Sequence, residues 1–163
     1  MPAPANQGSS ARDCPLSSNP TLLAAGACEE NRLRLRRMAE GLGWKLFEAA
    51  SCSEALTLLQ EERIPVVVCE QHLPDGNWRS LLEGIATLAR RPKLIVASRL
   101  ADDLLWVEVL KLGAYDLLAL PYSEPEVRRV ISRAWDCKRR EEQDSIRVST
   151  PAAPEVPRRA MPK

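Results

Sequence analysis

Through the middle of the chain, short runs of apolar residues alternate with longer stretches whose apolar positions recur every three or four residues. The short runs fall at 21–25, 45–49, 65–70, 93–98 and 115–120, and their length and aliphatic content predict strands. Pro65 opens its run, where a missing N–H is tolerated. The longer stretches predict helices over 29–42, 52–63, 78–90, 101–112 and 123–140. Leu35, Met38, Ala39 and Leu42 form the stripe of the first, and Gly43 is placed to end it. Leu81, Leu82, Ile85 and Leu88 line the third helix, Gly113 closes the fourth, and Val127, Val130, Ile131 and Ala134 line the fifth. Ser51 with Glu54, and Ser123 with Glu126, have capping-box spacing. Strand and helix thus alternate five times, with strands that are apolar on both faces. That pattern predicts an α/β fold, a parallel sheet covered by helices on each side.

The flanks read differently. Residues 1–20 are rich in Pro, Ser, Ala and Asn and predict a disordered arm, because they bury too little apolar surface to offset the entropy of ordering. From about residue 138 the sequence turns to KRREEQD and then to a Pro/Arg segment, a charged helix extension leading into a second disordered tail. The expected divisions are therefore 1–20, 21–137 and 138–163.

Composition narrows the class. A chain of 163 residues with 45% hydrophobic and 28% charged residues suits one globular domain. A net charge of +1 points to neither nucleic acid nor a membrane surface, and no apolar run is long enough to cross a bilayer. The opening MPAPANQGSS has neither the basic nor the apolar region of a secretory signal. Cys14, Cys28, Cys52, Cys69 and Cys137 are dispersed without a CxxC, so neither a disulfide framework nor a zinc site is expected, and a reducing cytoplasm fits best. Cys69, inside an apolar strand, reads as a small buried hydrophobe.

Three segments carry a family resemblance: ENRLRLRRMAEGLGWKL, VVVCEQHLPDG and KLGAYDLLALPYSEPEV. In that order, from about residue 20 to 137, they resemble the receiver domains of bacterial two-component signalling. The resemblance implies a flavodoxin-like (βα)5 doubly wound sheet of strand order 2-1-3-4-5, with its active face at the carboxyl ends of the strands. It also implies what that face ordinarily holds: an acidic pair after the first strand, a phosphoacceptor Asp, a hydroxyl residue and a Lys. The carboxylates bind Mg²⁺, which wants oxygen ligands near octahedral geometry, and the hydroxyl and Lys neutralise phosphoryl oxygens.

Carried onto this sequence, the acidic pair falls at Gly26 and Ala27, the phosphoacceptor at Glu70, the hydroxyl at Ser98 and the Lys at Leu120. Only Ser98 matches in kind. A lone carboxylate does not hold Mg²⁺ against its hydration shell. A buried Glu without metal or Lys must be neutral, solvent-facing or paired with a neighbour such as Arg99 or Ser98. The expectation is a receiver that takes no metal or cofactor, has no catalytic residue, and acts through protein contacts. Glu70 then reads either as an imitation of a phosphorylated Asp or as drift in a site freed of chemical demand. Glu29 and Glu30 read as first-turn acids favouring the helix dipole rather than as relocated ligands.

Two alternatives stand beside this reading. One is a receiver that keeps a weak phosphorelay signal. The other is a flavodoxin-like cofactor-binding or catalytic domain, for which GxGxxG, GxxxxGK[ST] and GxSxG are all missing and His72 reads as a loop histidine. Partners are expected on the face of the fourth helix, fifth strand and fifth helix, which the family commonly uses, as a second protein or a homodimer. On the fourth helix, Leu105, Trp106, Val109, Leu110 and Leu112 fill an arc suited to a core, leaving Leu104 and Val107 outside it. Leu104, Val107 and Leu117, which lies three residues before the Lys position, are the candidate contact residues. Arg34, Arg36 and Arg37, with Arg128, Arg129 and Arg133, form a prospective basic face. No helix-turn-helix accompanies it, so nucleic acid is not the expected partner.

Overall fold

The computed structural model describes residues 19–149, and the expected arm up to residue 18 and tail from residue 150 lie outside them. In chain order the elements are β1 (Thr21–Ala25), α1 (Glu29–Leu42), β2 (Lys45–Ala49), α2 (Cys52–Glu61), β3 (Val66–Glu70), β4 (His72–Leu73), β5 (Gly76–Asn77), α3 (Trp78–Ala86), β6 (Lys93–Ser98), α4 (Asp103–Lys111), β7 (Asp116–Ala119) and α5 (Glu124–Ser149). Five strands form one parallel sheet in the order β2-β1-β3-β6-β7. With the small antiparallel β4–β5 hairpin set aside, this is the 2-1-3-4-5 order of the flavodoxin-like α/β fold.

Period-two alternation explains why the strands read as unbroken apolar runs. Leu22, Val66, Ile95 and Leu118 pack beneath α1 and α5, while their neighbours Leu23, Val67, Val96 and Leu117 pack beneath α2, α3 and α4. Each face is closed by helical stripes, such as Val127, Val130 and Ile131 from α5 on one side and Trp78, Leu81 and Ile85 from α3 on the other. Among the described residues no helix is long and apolar enough to cross a membrane.

Helix ends follow the local chemistry, with additions that the spacing did not announce. Gly43 ends α1 at φ 74°, a left-handed position that suits glycine. Ser51 accepts from the Glu54 N–H at 3.2 Å, but Glu54 closes its box on the Ala50 N–H (2.8 Å) rather than on Ser51. Asn77 and Ser80 make a full capping box at α3. The N-terminus of α2 has a second cap from far along the chain. Asp75, in the turn of the β4–β5 hairpin, accepts from the N–H groups of Cys52 (2.8 Å) and Ser53 (3.0 Å). Those backbone bonds hold the Asp75 carboxyl below its ordinary value.

A folded pKa below the unfolded one means that the Asp75 contribution is complete at neutral pH and disappears as pH falls through the folded value. Asp75→Asn keeps one acceptor oxygen, whereas Asp75→Ala removes both. Amide exchange at Cys52 and Ser53 is expected to rise in Asp75→Ala and to lose its acid dependence, with β6 unaffected. Unchanged protection of those two amides would refute the remote cap.

The fourth helix departs from the expected packing. Only Leu105 and Val109 are buried, while Trp106, Leu110 and Leu112 join Leu104 and Val107 as exposed residues. α4 lies on β7, the edge strand, so a narrow stripe meets the sheet and the rest of the expected core arc faces outward. Leu117 shows the opposite departure. Expected on the contact face, it is 8% exposed and belongs to the core beneath α4. Both LeuLeu residues of β7 are apolar, and the alternation sends Leu117 inward on one face and Leu118 inward on the other.

Candidate functional site

At the carboxyl ends of the strands, β1 delivers Gly26 and Ala27, β3 delivers Glu70, β6 delivers Ser98 and the chain after β7 delivers Leu120. The register sets Ala25 beside Cys69 and Glu70 beside Ala97, so these positions share one rim.

Glu70 fills the space that a side chain at position 26 would need. A Cβ built on Gly26 would lie 2.5 Å from Glu70 Cδ and 2.8 Å from its Cγ, far inside van der Waals contact. Glycine at 26 is therefore what allows the Glu70 side chain to fold back over the end of β1. Of the options left open by the sequence, Glu70 takes a protein partner, though neither Arg99 nor Ser98. Instead its Oε2 accepts from Asn31 Nδ2 at 3.1 Å, and Asn31 is itself buried. This residue escaped the reading of the sequence, although a signal was present. Asn31 stands one turn ahead of Leu35 on the stripe that α1 buries, where a polar side chain must find a partner.

The remaining positions are similarly committed to protein groups. The Ser98 hydroxyl donates to Gln71 Oε1 (2.6 Å) and accepts from the Leu100 N–H (3.0 Å). Leu120 is half-buried against the core beneath α1 and α5, alongside Tyr122. Burial, and secondarily the Glu70 charge, push the Tyr122 hydroxyl well up. Arg32 donates to the Gly26 carbonyl, and its Nε lies 3.5 Å from Glu48. Glu48 is in turn held below the usual carboxylate range, chiefly by its hydrogen bond from Arg36.

These donors do not suit Mg²⁺. Gly26 and Ala27 offer no carboxylate, and Glu70 already leans on Gly26 and Asn31. Glu29 and Glu30 are exposed in the first turn of α1, and no cluster of three metal-ligating side chains occurs among the described residues. Two of the cysteines near this rim, Cys52 and Cys69, are buried. Burial raises the Cys52 thiol to about 11 and pushes Cys69 still higher, while Cys69 donates to the Glu70 carbonyl. His72 is exposed on the hairpin.

The prospective basic face divides. Arg36 is bidentate on Glu48, and Arg128 pairs with Glu124 at 3.0 Å. Arg129 and Arg133 turn away from α1 into a groove of about 410 Å³ between α4 and α5, opposite Trp106, Asp102, Asp103 and Asp116. Helical rotation along α5 accounts for it, since Arg128 and Arg129 project 100° apart.

The described residues are similar to known proteins along most of their length. The family model for the response regulator receiver domain matches residues 28–132. Protein CcdB of Bacillus subtilis (strain 168) is 26% identical over 103 residues, covering 63% of this chain and 86% of that protein. The receiver domain of the Francisella response regulator 1452 superposes with a TM-score of 0.66 at 26% identity, covering 76% of this chain and 99% of that one. The CheY-like response regulator receiver domain protein from Methanospirillum hungatei JF-1 superposes with a TM-score of 0.68 at 22% identity, over 76% of this chain and 99% of that one. Sheet order and the family match over residues 28–132 agree, and the chain belongs to the response-regulator receiver family of two-component signalling.

Proposed function

We propose that this receiver signals through protein contacts without being phosphorylated, and that it is not an enzyme. The observation that carries the reading is the position of Glu70, folded onto Gly26 and bonded to Asn31 where a receiver would need Mg²⁺ and an acidic pair. Phosphoryl transfer by the family's route needs charge neutralisation that glycine, alanine and leucine do not provide. A reducing cytoplasm is the setting that suits four free cysteines among the described residues.

The contact surface in this reading is α4 with the groove beside it. Leu104 is 82% exposed, and Leu100, Trp106, Val107, Leu110 and Leu112 extend the apolar surface around it. Single exposed hydrophobes need no explanation, but six on one short segment favour an occupant. The neighbouring groove sets Asp102, Asp103 and Asp116 against Arg129 and Arg133. Such a surface suits a protein partner, a second copy included, because a two-fold axis would bring the acids of one chain to the arginines of the other. Val107→Asp is expected to weaken that contact at least about tenfold, read as capture of a partner or as a shift in oligomeric mass, with the unfolding midpoint nearly unchanged. A charged residue there that alters neither would remove α4 from the reading.

A further inference from the structure

We propose that Gln71 is the positioning residue for the segment joining β6 to α4, and hence for the apolar surface that α4 presents. The inference rests on the reading of α4 as a contact surface, but its geometry stands alone. Gln71 follows Glu70 directly and bridges three elements. Its N–H donates to the Ala97 carbonyl of β6 at 2.9 Å, and its carbonyl accepts from the Trp78 N–H at the start of α3 at 3.1 Å. Its side-chain oxygen accepts the Ser98 hydroxyl at 2.6 Å.

Ser98 is 3% exposed, so its hydroxyl needs a partner inside the protein. A serine hydroxyl has one proton, and Gln71 takes it. The oxygen thereby oriented accepts from Leu100 N–H at 3.0 Å. From there the connection continues link by link. The Leu100 carbonyl accepts from Asp102 N–H at 2.9 Å, and the Asp102 side chain caps α4 by accepting from Leu105 N–H at 2.9 Å. The Ser98 carbonyl also accepts from Leu120 N–H at 3.0 Å, which ties the end of β7 to the same junction. Leu100 and Leu104, at 75% and 82% exposure, project from this chain of bonds. Their placement depends on polar links, because neither is held by burial. Gln71 is the anchor on the rigid side, fixed through its own backbone to β6 and α3.

Hydrogen exchange of the full chain tests this. Gln71→Met is close in shape but has no acceptor oxygen, and Gln71→Glu keeps one. The amides of residues 100–106 are expected to exchange roughly tenfold faster in Gln71→Met and in Ser98→Ala, the scale of one lost hydrogen bond. The double variant should add nothing further, since both changes cut one chain. Gln71→Glu should stay near the unaltered protein, with β7 and residues 124–135 protected throughout. Unchanged exchange in Gln71→Met, additivity in the double variant, acceleration spread evenly over the domain, or loss of protection in Gln71→Glu would each overturn the proposal. Exchange is read with no partner present, so failure of α4 as a contact surface, seen with Val107→Asp, remains a separate result.

Discussion

Gly26→Asp, a single step toward the acidic pair of the family, is expected to destabilise the protein by roughly 2–4 kcal/mol without giving it a response to Mg²⁺ and beryllofluoride. The new Cβ enters the space of the Glu70 side chain, so Glu70 must swing away and release Asn31. A hydrogen bond to a charged acceptor contributes about 1.5–3 kcal/mol, and the buried Asn31 amide then lacks its partner. Two carboxylates at one strand end also repel each other. Glu70→Asp in the same chain shortens the obstructing side chain and should recover part of the loss. The unaltered protein should show the same denaturant midpoint and tryptophan fluorescence with or without Mg²⁺ and beryllofluoride. Any ligand that binds the folded state alone must raise that midpoint, so a Mg²⁺-dependent rise would refute the phosphorylation-independent reading. A neutral Gly26→Asp would refute the steric account of why glycine stands there.

The parts of this fold that were legible in the sequence are those set by local pattern. β1, β2, β6 and α1 span the residues their apolar patterns predict, with Gly26 following β1, Gly43 following α1 and Arg99 following β6. α3 ends four residues before the expected boundary, at Ala86, where Thr87 closes it by donating its N–H and its hydroxyl to the Gly84 carbonyl. The β4–β5 hairpin went unread because two-residue strands leave no periodic trace. Its purpose is visible only in three dimensions, where Asp75 reaches across to cap α2.

The site divides in the same way. The vacant positions Gly26, Ala27 and Leu120 could be placed by resemblance to the family, but not what replaces the missing chemistry. Asn31 and Gln71 act through contacts across 39 and 27 residues of chain, and such pairings have no signature in spacing. Leu117 was misplaced for a different reason. When both faces of a strand are apolar, alternation alone does not say which face meets helices and which meets a partner.

Ile131→Ala and Glu141→Gln, ten residues apart on one continuous helix, are expected to differ severalfold in their effect on stability. Ile131 is fully buried between α5 and the sheet, and its truncation leaves a cavity as well as losing transfer free energy, about 2–5 kcal/mol together. Glu141 lies beyond the last core residue, Trp135, and pairs with Lys93 at 2.5 Å on a half-exposed side chain. Such a pair contributes under about 1 kcal/mol and fades with added salt. The contrast would place the end of the cooperatively folded receiver near residue 137, as the change in composition implies, with α5 continuing to Ser149 as a charged extension that Glu141 and Glu142 tether to Lys93 and Arg63. Urea unfolding followed by tryptophan fluorescence measures both variants directly, since Trp135 reports on the buried half of α5. Equal losses would mean that the extension is part of the core, and the boundary drawn at 137 would then fall.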